Sequence, residues 1–198
     1  MLGTLIVTLM VATAAALHAY MITGPGGTSA LLSAVFYFAI MPGFREELFF
    51  RGILLRWLEE FGGSWFALAV TSALFGAAHL HNANANMLGA FAIALEAGVL
   101  LGAAYMLTRS LWMPMGLHAA WNFTEGEIFD VPVSGLGQHG LVTAKLAGSD
   151  LLTGGRFGLE ASLIVMVIAT AFGVWLIFRA IRGGKFVHTP WGRRQISW

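Results

Sequence analysis

A small set of polar side chains stands inside otherwise apolar stretches of this sequence, and these are the residues that could carry chemistry. A charged group at the centre of a bilayer costs about 2.5–3.5 kcal/mol on insertion scales, so such groups are kept where they pair or act. A buried ion-pair network that only fixes helix packing is the alternative interpretation for any one of them. The candidates are Arg45, Glu46, Glu47, Arg51, His79, Glu96, His118 and Asn122.

The spacing of these residues favours a shared site. Glu47 and Arg51 are four residues apart, so their side chains can pair on one face of a helix. Glu46 is turned by about 100° from Glu47 and is left without that partner. His118 and Asn122 also share a helix face, and two donors one turn apart suit the stabilisation of an oxyanion.

The depth of the candidates follows from the Gly62-Gly63 pair, which predicts a tight turn between two helices. Glu46 lies 16 residues before Gly62, and His79 lies 16 residues after Gly63. Both are then about 24 Å from the turn at 1.5 Å per residue, level with each other. His118 is eight residues past Ser110, about 12 Å in from the same side. Three segments can thus bring the candidates to similar depth.

Two prolines affect the helices that carry these residues. Pro42-Gly43 predicts a kink or a restart of the helix, because proline lacks an N–H and clashes with the preceding turn. A restart would put Glu46 and Glu47 in a first turn, where the helix dipole favours carboxylates. Pro114 fits the first turn of the segment with His118.

The composition requires a membrane setting. Hydrophobic residues make up 58% of the 198 residues and charged residues only 11%, whereas soluble domains are about one quarter charged. The net charge of +1 predicts no nucleic-acid partner, and the absence of cysteine excludes thiolate nucleophiles, thiolate zinc sites and disulfides.

Hydropathy predicts an all-α polytopic membrane protein: one domain over residues 1–198, about six transmembrane helices in one bundle, and a central polar site. The only long loop covers about 125–157. The first segment lacks the basic region of a signal peptide, so we expect a span there, with a cleaved leader as the alternative. The six segments are Leu2–Thr23, Thr28–Phe61, Ser64–Leu80, Ala85–Thr108, Leu111–Phe123 and Gly158–Ile181.

Lysine and arginine residues predict the orientation. They crowd the C-terminal tail, which should therefore be cytoplasmic. Counting back through six crossings puts Arg56 and Arg109 on the same side and makes both termini cytoplasmic, while the 125–157 loop lies on the other side. The basic tail residues are Arg179, Arg182, Lys185, Arg193 and Arg194.

The order and spacing of three motifs resemble those of the CPBP family of intramembrane proteases. The motifs are Glu46-Glu47-x-x-x-Arg51, Phe75-x-x-x-His79 and His118-x-x-x-Asn122, and the likeness extends over about 44–123. The family contains the type II CAAX prenyl endopeptidases and the bacteriocin-processing or self-immunity (Abi-like) proteins. The lean surroundings of the motifs resemble a bacterial-type member, which implies the inner membrane.

This resemblance implies a membrane endopeptidase that needs no cofactor. Glu46 and His79 would activate water, and His118 and Asn122 would form the oxyanion hole. Glu47 and Arg51 would support Glu46. The partners would be membrane lipids and a peptide or protein substrate; the sequence does not fix the oligomeric state.

Three alternatives stay open at this point. Zinc could be held by Glu46, His79 and His118, since a glutamate with two histidines is a known ligand set. A proton-transport protein could use Glu96 as a relay, although Glu96 could also contact substrate or pair with a neighbouring helix. A non-catalytic scaffold or immunity protein could share the same fold.

Overall fold

A computed structural model of the chain describes residues 1–28, 31–137 and 140–189. Most of this part is helical, as predicted. Four π-helical stretches (Val35–Ile40, Leu48–Leu55, Ala94–Gly98 and Phe123–Ile128) and three short 3-10 turns (His79–His81, Gly155–Phe157 and Leu159–Ala161) interrupt or extend the α-helices. The α-helices are α1 (Leu2–Ala16), α2 (Leu31–Ala34), α3 (Met41–Glu47), α4 (Arg56–Ala78), α5 (Met87–Ile93), α6 (Val99–Thr108), α7 (Trp112–Asn122), α8 (Asp150–Thr153) and α9 (Leu163–Arg182).

Three helical runs of the described chain are long and apolar enough to cross a membrane. They are Leu31–His81 with 51 residues, Met87–Thr108 with 22 and Leu163–Arg182 with 20. A span needs about 20 predominantly apolar residues, so each run meets that requirement. The chain is therefore a helical membrane protein; six crossings stay a prediction. Arg193 and Arg194, which the orientation prediction uses, lie outside the described residues.

The first apolar segment is not one helix, and here the prediction of a continuous Leu2–Thr23 span is wrong. α1 ends at Ala16 after 15 residues, about 22 Å of helix at 1.5 Å per residue. His18 has a left-handed φ of 58°, which ends the helical path. Residues Tyr20–Pro25 then form strand β1.

Strand β1 pairs antiparallel with β2 (Val142–Leu146), so the all-helical prediction missed a two-stranded sheet. Tyr20 lies opposite Leu146, and a bulge follows Ile22. Backbone groups of the 125–157 region are satisfied by this pairing and by Asp130, whose carboxylate accepts from the N–H groups of Gly140 and Ala144. The described residues of the predicted loop thus form an ordered segment, and the first of them belong to the helical stretch Phe123–Ile128.

The turn predicted at Gly62-Gly63 is confirmed. Gly63 interrupts α4 with φ 78° and ψ 174°, a backbone conformation open to glycine. The two arms then run side by side: the rings of Phe50 and Phe75 lie 5.0 Å apart at their centroids. Each of these residues is twelve positions from the glycine pair, so the arms are in the symmetric register that the sequence predicted.

The restart predicted at Pro42-Gly43 is wrong. Pro42 lies in the first turn of α3, where π-helical geometry changes to α-helical, but Ile40 keeps helical angles and the run continues. The wider π turn before the proline accommodates the missing N–H without a break. Glu46 and Glu47 are consequently the last residues of α3, not its first turn. Pro114 does lie in the first turn of α7, as predicted.

Close packing of α3 on α7 brings the first and third motifs together. A Cβ atom built on Gly43 would lie 3.0 Å from the backbone nitrogen of Ala119 and 3.1 Å from the carbonyl oxygen of Met115. A side chain at this position would require the two helices to move apart by a few tenths of an ångström. The small residue at position 43 therefore sets how near Glu46 and Glu47 come to His118.

We predict that Gly43→Val lowers the free energy of unfolding by about 1–3 kcal/mol, because the added methyl groups must push α3 away from α7. Gly116→Val is the matched control, since a Cβ atom at that position of α7 meets nothing within 4 Å. Both variants change helix propensity equally, so thermal unfolding in detergent isolates the packing effect. Equal melting temperatures for the two variants would contradict the close contact.

Candidate active site

A buried polar centre joins the first and third motifs. Glu47 Oε1 accepts a hydrogen bond from Arg51 Nη1 at 2.9 Å and lies 2.9 Å from His118 Nδ1. Glu47 and Arg51 have no exposed surface, and His118 is 8% exposed. The i, i+4 pairing of Glu47 with Arg51 confirms the sequence prediction. The contact with His118 was not predicted, because it spans 71 positions of the chain.

Arg51 extends this centre to two further helices. Its Nη2 donates to the carbonyl oxygens of Ala97 at 3.3 Å and Gly98 at 3.1 Å. Its guanidinium carbon lies 4.5 Å from the ring centroid of Phe75, within the range of a cation–π contact. The buried Arg51 guanidinium thus fixes the positions of α3, α4 and the π-helical stretch Ala94–Gly98 relative to one another.

The hydrogen-bond partner of His79 determines which of its two ring nitrogens carries the hydrogen. His79 Nδ1 lies 2.7 Å from the carbonyl oxygen of Phe75, one turn earlier. A carbonyl oxygen can only accept, so Nδ1 carries the hydrogen and Nε2 of the neutral ring has a free lone pair. The ring also packs on Phe75, with centroids 4.7 Å apart. His79 is therefore held in the form that can take a proton from water.

His118 and Asn122 point polar groups in the same direction from α7. Because His118 Nδ1 faces a carboxylate, its Nε2 is the nitrogen left for another ligand. Asn122 Nδ2 donates one hydrogen to the carbonyl oxygen of Phe38 at 2.9 Å. An amide nitrogen has two hydrogens, so one donor of Asn122 remains. The bond to Phe38 also ties α7 to the helical run that carries Glu46.

A cavity of about 390 Å³ is bordered by all four residues that the sequence predicted as catalytic: Glu46, His79, His118 and Asn122. Glu46 reaches it from the end of α3, with 23% of its side chain exposed, and lies 3.8 Å from the exposed guanidinium of Arg45. Glu46 Oε2 is buried and has no hydrogen-bond partner among the described residues. A carboxylate and a lone-pair imidazole at one cavity can together hold and deprotonate a water molecule.

The other predicted residues lie elsewhere than expected. Glu47 contacts His118 and Arg51, whereas the resemblance implied that Glu47 and Arg51 would support Glu46. Glu96 is fully buried on the Ala94–Gly98 turn, does not border the cavity, and has no hydrogen-bond partner on either oxygen within the described chain.

The zinc alternative would need its three predicted ligands to lie close together. Across residues 1–28, 31–137 and 140–189, no three histidine or acidic side chains come together in a group that could hold a metal ion. Glu46, His79 and His118 border one cavity but do not form such a group in this conformation.

Two residues at the site were missed by the sequence analysis. Ser134 borders the large cavity and also a second cavity of about 20 Å³, which Glu160 borders together with His79, His118 and Asn122. A space of that size holds about one water molecule. Ser134 stands in a loop without periodicity and had no sequence signal. Glu160 lies near the start of the predicted Gly158–Ile181 segment, and its charge within that apolar segment was the only hint.

Glu160 lies outside the membrane-spanning helices and is almost fully buried. Burial raises the pKa of its carboxyl group, and the backbone N–H of Ser134 opposes that rise by hydrogen bonding to Glu160 Oε2. Its other oxygen accepts from Trp121 Nε1 at 3.1 Å, and the same indole N–H lies 2.8 Å from Glu125 Oε2. These contacts link the loop with Ser134 to the C-terminal end of α7.

Comparison with known proteins agrees with this arrangement. The sequence model described as type II CAAX prenyl endopeptidase Rce1-like matches residues 28–124, about half of the chain and all three motifs. No curated protein matches the chain, and no solved structure matches it. The matched region runs from the start of the helical hairpin to just past Asn122, and it implies a CAAX protease-type hydrolase of the membrane. Over residues 28–124 the chain is thus similar to the Rce1-like family of type II CAAX prenyl endopeptidases.

Proposed function

We propose that this protein is an intramembrane endopeptidase that hydrolyses a peptide bond of a membrane-associated protein or peptide, with water as the direct nucleophile. The observation that carries the proposal is one cavity bordered by Glu46, His79, His118 and Asn122. A single acidic residue or histidine in a membrane helix has many explanations. Two candidate bases, Glu46 and His79, and two hydrogen-bond donors, His118 and Asn122, that border the same cavity have few.

In the first step, Glu46 and His79 Nε2 together hold the water, whose oxygen attacks the carbonyl carbon of the scissile bond while its proton passes to the Glu46 carboxylate. His79 is suited to this step because the Phe75 carbonyl holds its hydrogen on Nδ1. The carbonyl π electrons move to oxygen, which becomes the oxyanion of a tetrahedral intermediate. No covalent bond to the enzyme forms.

Two side chains of α7, those of His118 and Asn122, stabilise the oxyanion. The remaining N–H of Asn122 and Nε2–H of a protonated His118 donate to it, and the Glu47 carboxylate balances the imidazolium charge. When the intermediate collapses, the C–N bond breaks and the proton held by Glu46 passes to the leaving nitrogen. The products are a carboxylic acid, which ionises, and an amine.

The proposed orientation, with both termini cytoplasmic in a bacterial inner membrane, is supported by contacts at the helical turn. Arg109 pairs with Glu59 and donates to the carbonyl oxygen of Lys185. Ser64 N–H donates to the carbonyl oxygen of Val187 at 2.9 Å. The basic residues Arg109, after the end of α6, and Lys185, in the tail, thus lie at the same end of the molecule as the helical turn. The positive-inside rule requires such basic residues at a cytoplasmic face.

A cleavage assay on a panel of membrane-associated peptides, with the purified protein in detergent, tests this proposal. We expect wild type to cleave at least one peptide and His79→Ala to lose about two to four powers of ten in kcat, the usual contribution of an acid–base group. His81→Ala is the matched control, because His81 is exposed on the same 3-10 turn and does not border the cavity.

The same assay separates the alternatives. Loss of cleavage with a chelator and recovery with zinc would replace the metal-free mechanism by a zinc-dependent one. Proton-linked flux in liposomes without any cleavage would identify a transporter, and Glu96 would be the first residue to examine. A biological role that survives His79→Ala and Glu46→Ala would identify a non-catalytic scaffold or immunity protein.

A further inference from the structure

The four residues Val133–Leu136 form a tight turn beside the candidate active site. Val133 and Leu136 exchange both backbone hydrogen bonds, at 3.1 and 2.9 Å. Ser134 and Gly135 between them have left-handed φ angles of 50° and 80°, the pattern of a two-residue type I′ turn. A left-handed φ is sterically unfavourable for a serine, so other contacts must hold Ser134 in this conformation.

Side chains from two distant segments supply those contacts. The carbonyl oxygens of Ser134 and Gly135 accept from Asn82 Nδ2 and Asn84 Nδ2, each at 2.8 Å. The N–H of Ser134 donates to Glu160 Oε2, and the N–H of Gly135 donates to the carbonyl oxygen of Phe157. Every backbone polar group at the tip of the turn is therefore bonded, and the turn is a rigid element.

The turn forms one wall of the cavity that the candidate catalytic residues border. Val133, Ser134 and Leu136 all border that cavity, as do the aromatic side chains of Tyr37 and Phe38. Val133 is 6% exposed, whereas Leu136 is 37% exposed. Leu136 is thus the apolar side chain of the turn that an entering molecule would meet.

We propose that the Val133–Leu136 turn is a specificity-determining wall of the active site, with Leu136 selecting an apolar substrate side chain next to the scissile bond. Glu160 is the positioning residue that holds the turn in place. The inference rests on the proposed endopeptidase function and adds to it a selecting residue outside the segment that matches the family. A residue can select a substrate by shape only if its backbone is rigid. The four hydrogen bonds to the backbone of Ser134 and Gly135 provide that rigidity.

The experiment uses the whole protein in detergent and a peptide that wild type cleaves. That peptide is remade with Ala, Leu, Phe or Trp at each position on either side of the cut. We expect Leu136→Ala to raise kcat/KM for the Phe or Trp peptide relative to the Ala peptide by about tenfold at one position, since filling an apolar pocket is worth about that much per small group. Leu136→Phe should shift the ratio in the opposite direction.

Leu141 provides the matched control. It is also 37% exposed and lies five residues further along the same segment, but it does not border the cavity. Leu141→Ala and Leu141→Phe should leave the ratio as in wild type. An unchanged ratio in both Leu136 variants, while wild type cleaves and Glu46→Ala does not, would overturn this inference and leave the proposed function intact.

Two substitutions of Glu160 test its role as the residue that positions the turn. Glu160→Ala removes the acceptor for the Ser134 N–H and should raise KM for the best peptide while kcat is unchanged, the result of losing binding that is equal in ground and transition states. Glu160→Gln keeps an acceptor oxygen and should restore KM toward the wild-type value. Unaltered KM in Glu160→Ala, or no rescue by Gln, would contradict the positioning role.

Discussion

Glu46→Gln is expected to lower kcat for peptide cleavage by about two to four powers of ten while leaving the fold intact. The amide has nearly the size of the carboxylate but cannot accept the proton of the attacking water. Among the residues that the structure describes, Glu46 makes one ion pair, with Arg45 at 3.8 Å, and the Arg45 side chain is 73% exposed. Exposed pairs of this kind contribute little to stability, so the melting temperature should stay near that of wild type.

Glu60→Gln is the control for this loss. Glu60 follows α4's first turn, is exposed, and does not border the cavity of Glu46. Each variant removes one negative charge, so a general charge effect on the protein or on peptide binding would affect both. Full turnover by Glu46→Gln would rule out the mechanism proposed above, because no other carboxylate borders that cavity within the described chain.

Arg51→Met should have the largest effect on stability. The substitution leaves the Glu47 carboxylate buried without its cation and frees the carbonyl oxygens of Ala97 and Gly98. Breaking a buried ion pair in this way costs about 3–5 kcal/mol. We expect a lower free energy of unfolding in detergent. We also expect no cleavage, because the Glu47 carboxylate that contacts His118 is no longer held by Arg51. Arg156→Met, at an exposed arginine outside the site, should change neither quantity.

A double variant separates the structural role of the pair from its role at the site. Glu47→Leu with Arg51→Met removes both charges, and apolar replacements of a whole buried pair are often neutral or stabilising. Most of the lost stability should return. Cleavage should not, because His118 Nδ1 has no carboxylate to orient it. Recovery of both properties would show that Glu47 serves packing alone.

The sequence determined those features that depend on neighbours along the chain. The Glu47–Arg51 ion pair and the Phe75–His79 contact follow from the i, i+4 spacing of a helix. The symmetric hairpin follows from a glycine pair and the fixed rise of two helices. The helical membrane character follows from composition, because a chain with so few charges cannot cover a soluble surface.

The tertiary structure decided what depends on residues far apart along the chain. Nothing local indicated that Glu47 would bond His118 rather than support Glu46, that Tyr20–Pro25 would leave a helix to pair with Val142–Leu146, or that Glu160 would anchor the turn at Ser134. Pro42 kept its helix because a π turn precedes it. Periodicity reports only which face of a segment is apolar, whereas the partner on that face is chosen by close packing such as that of Gly43 on α7.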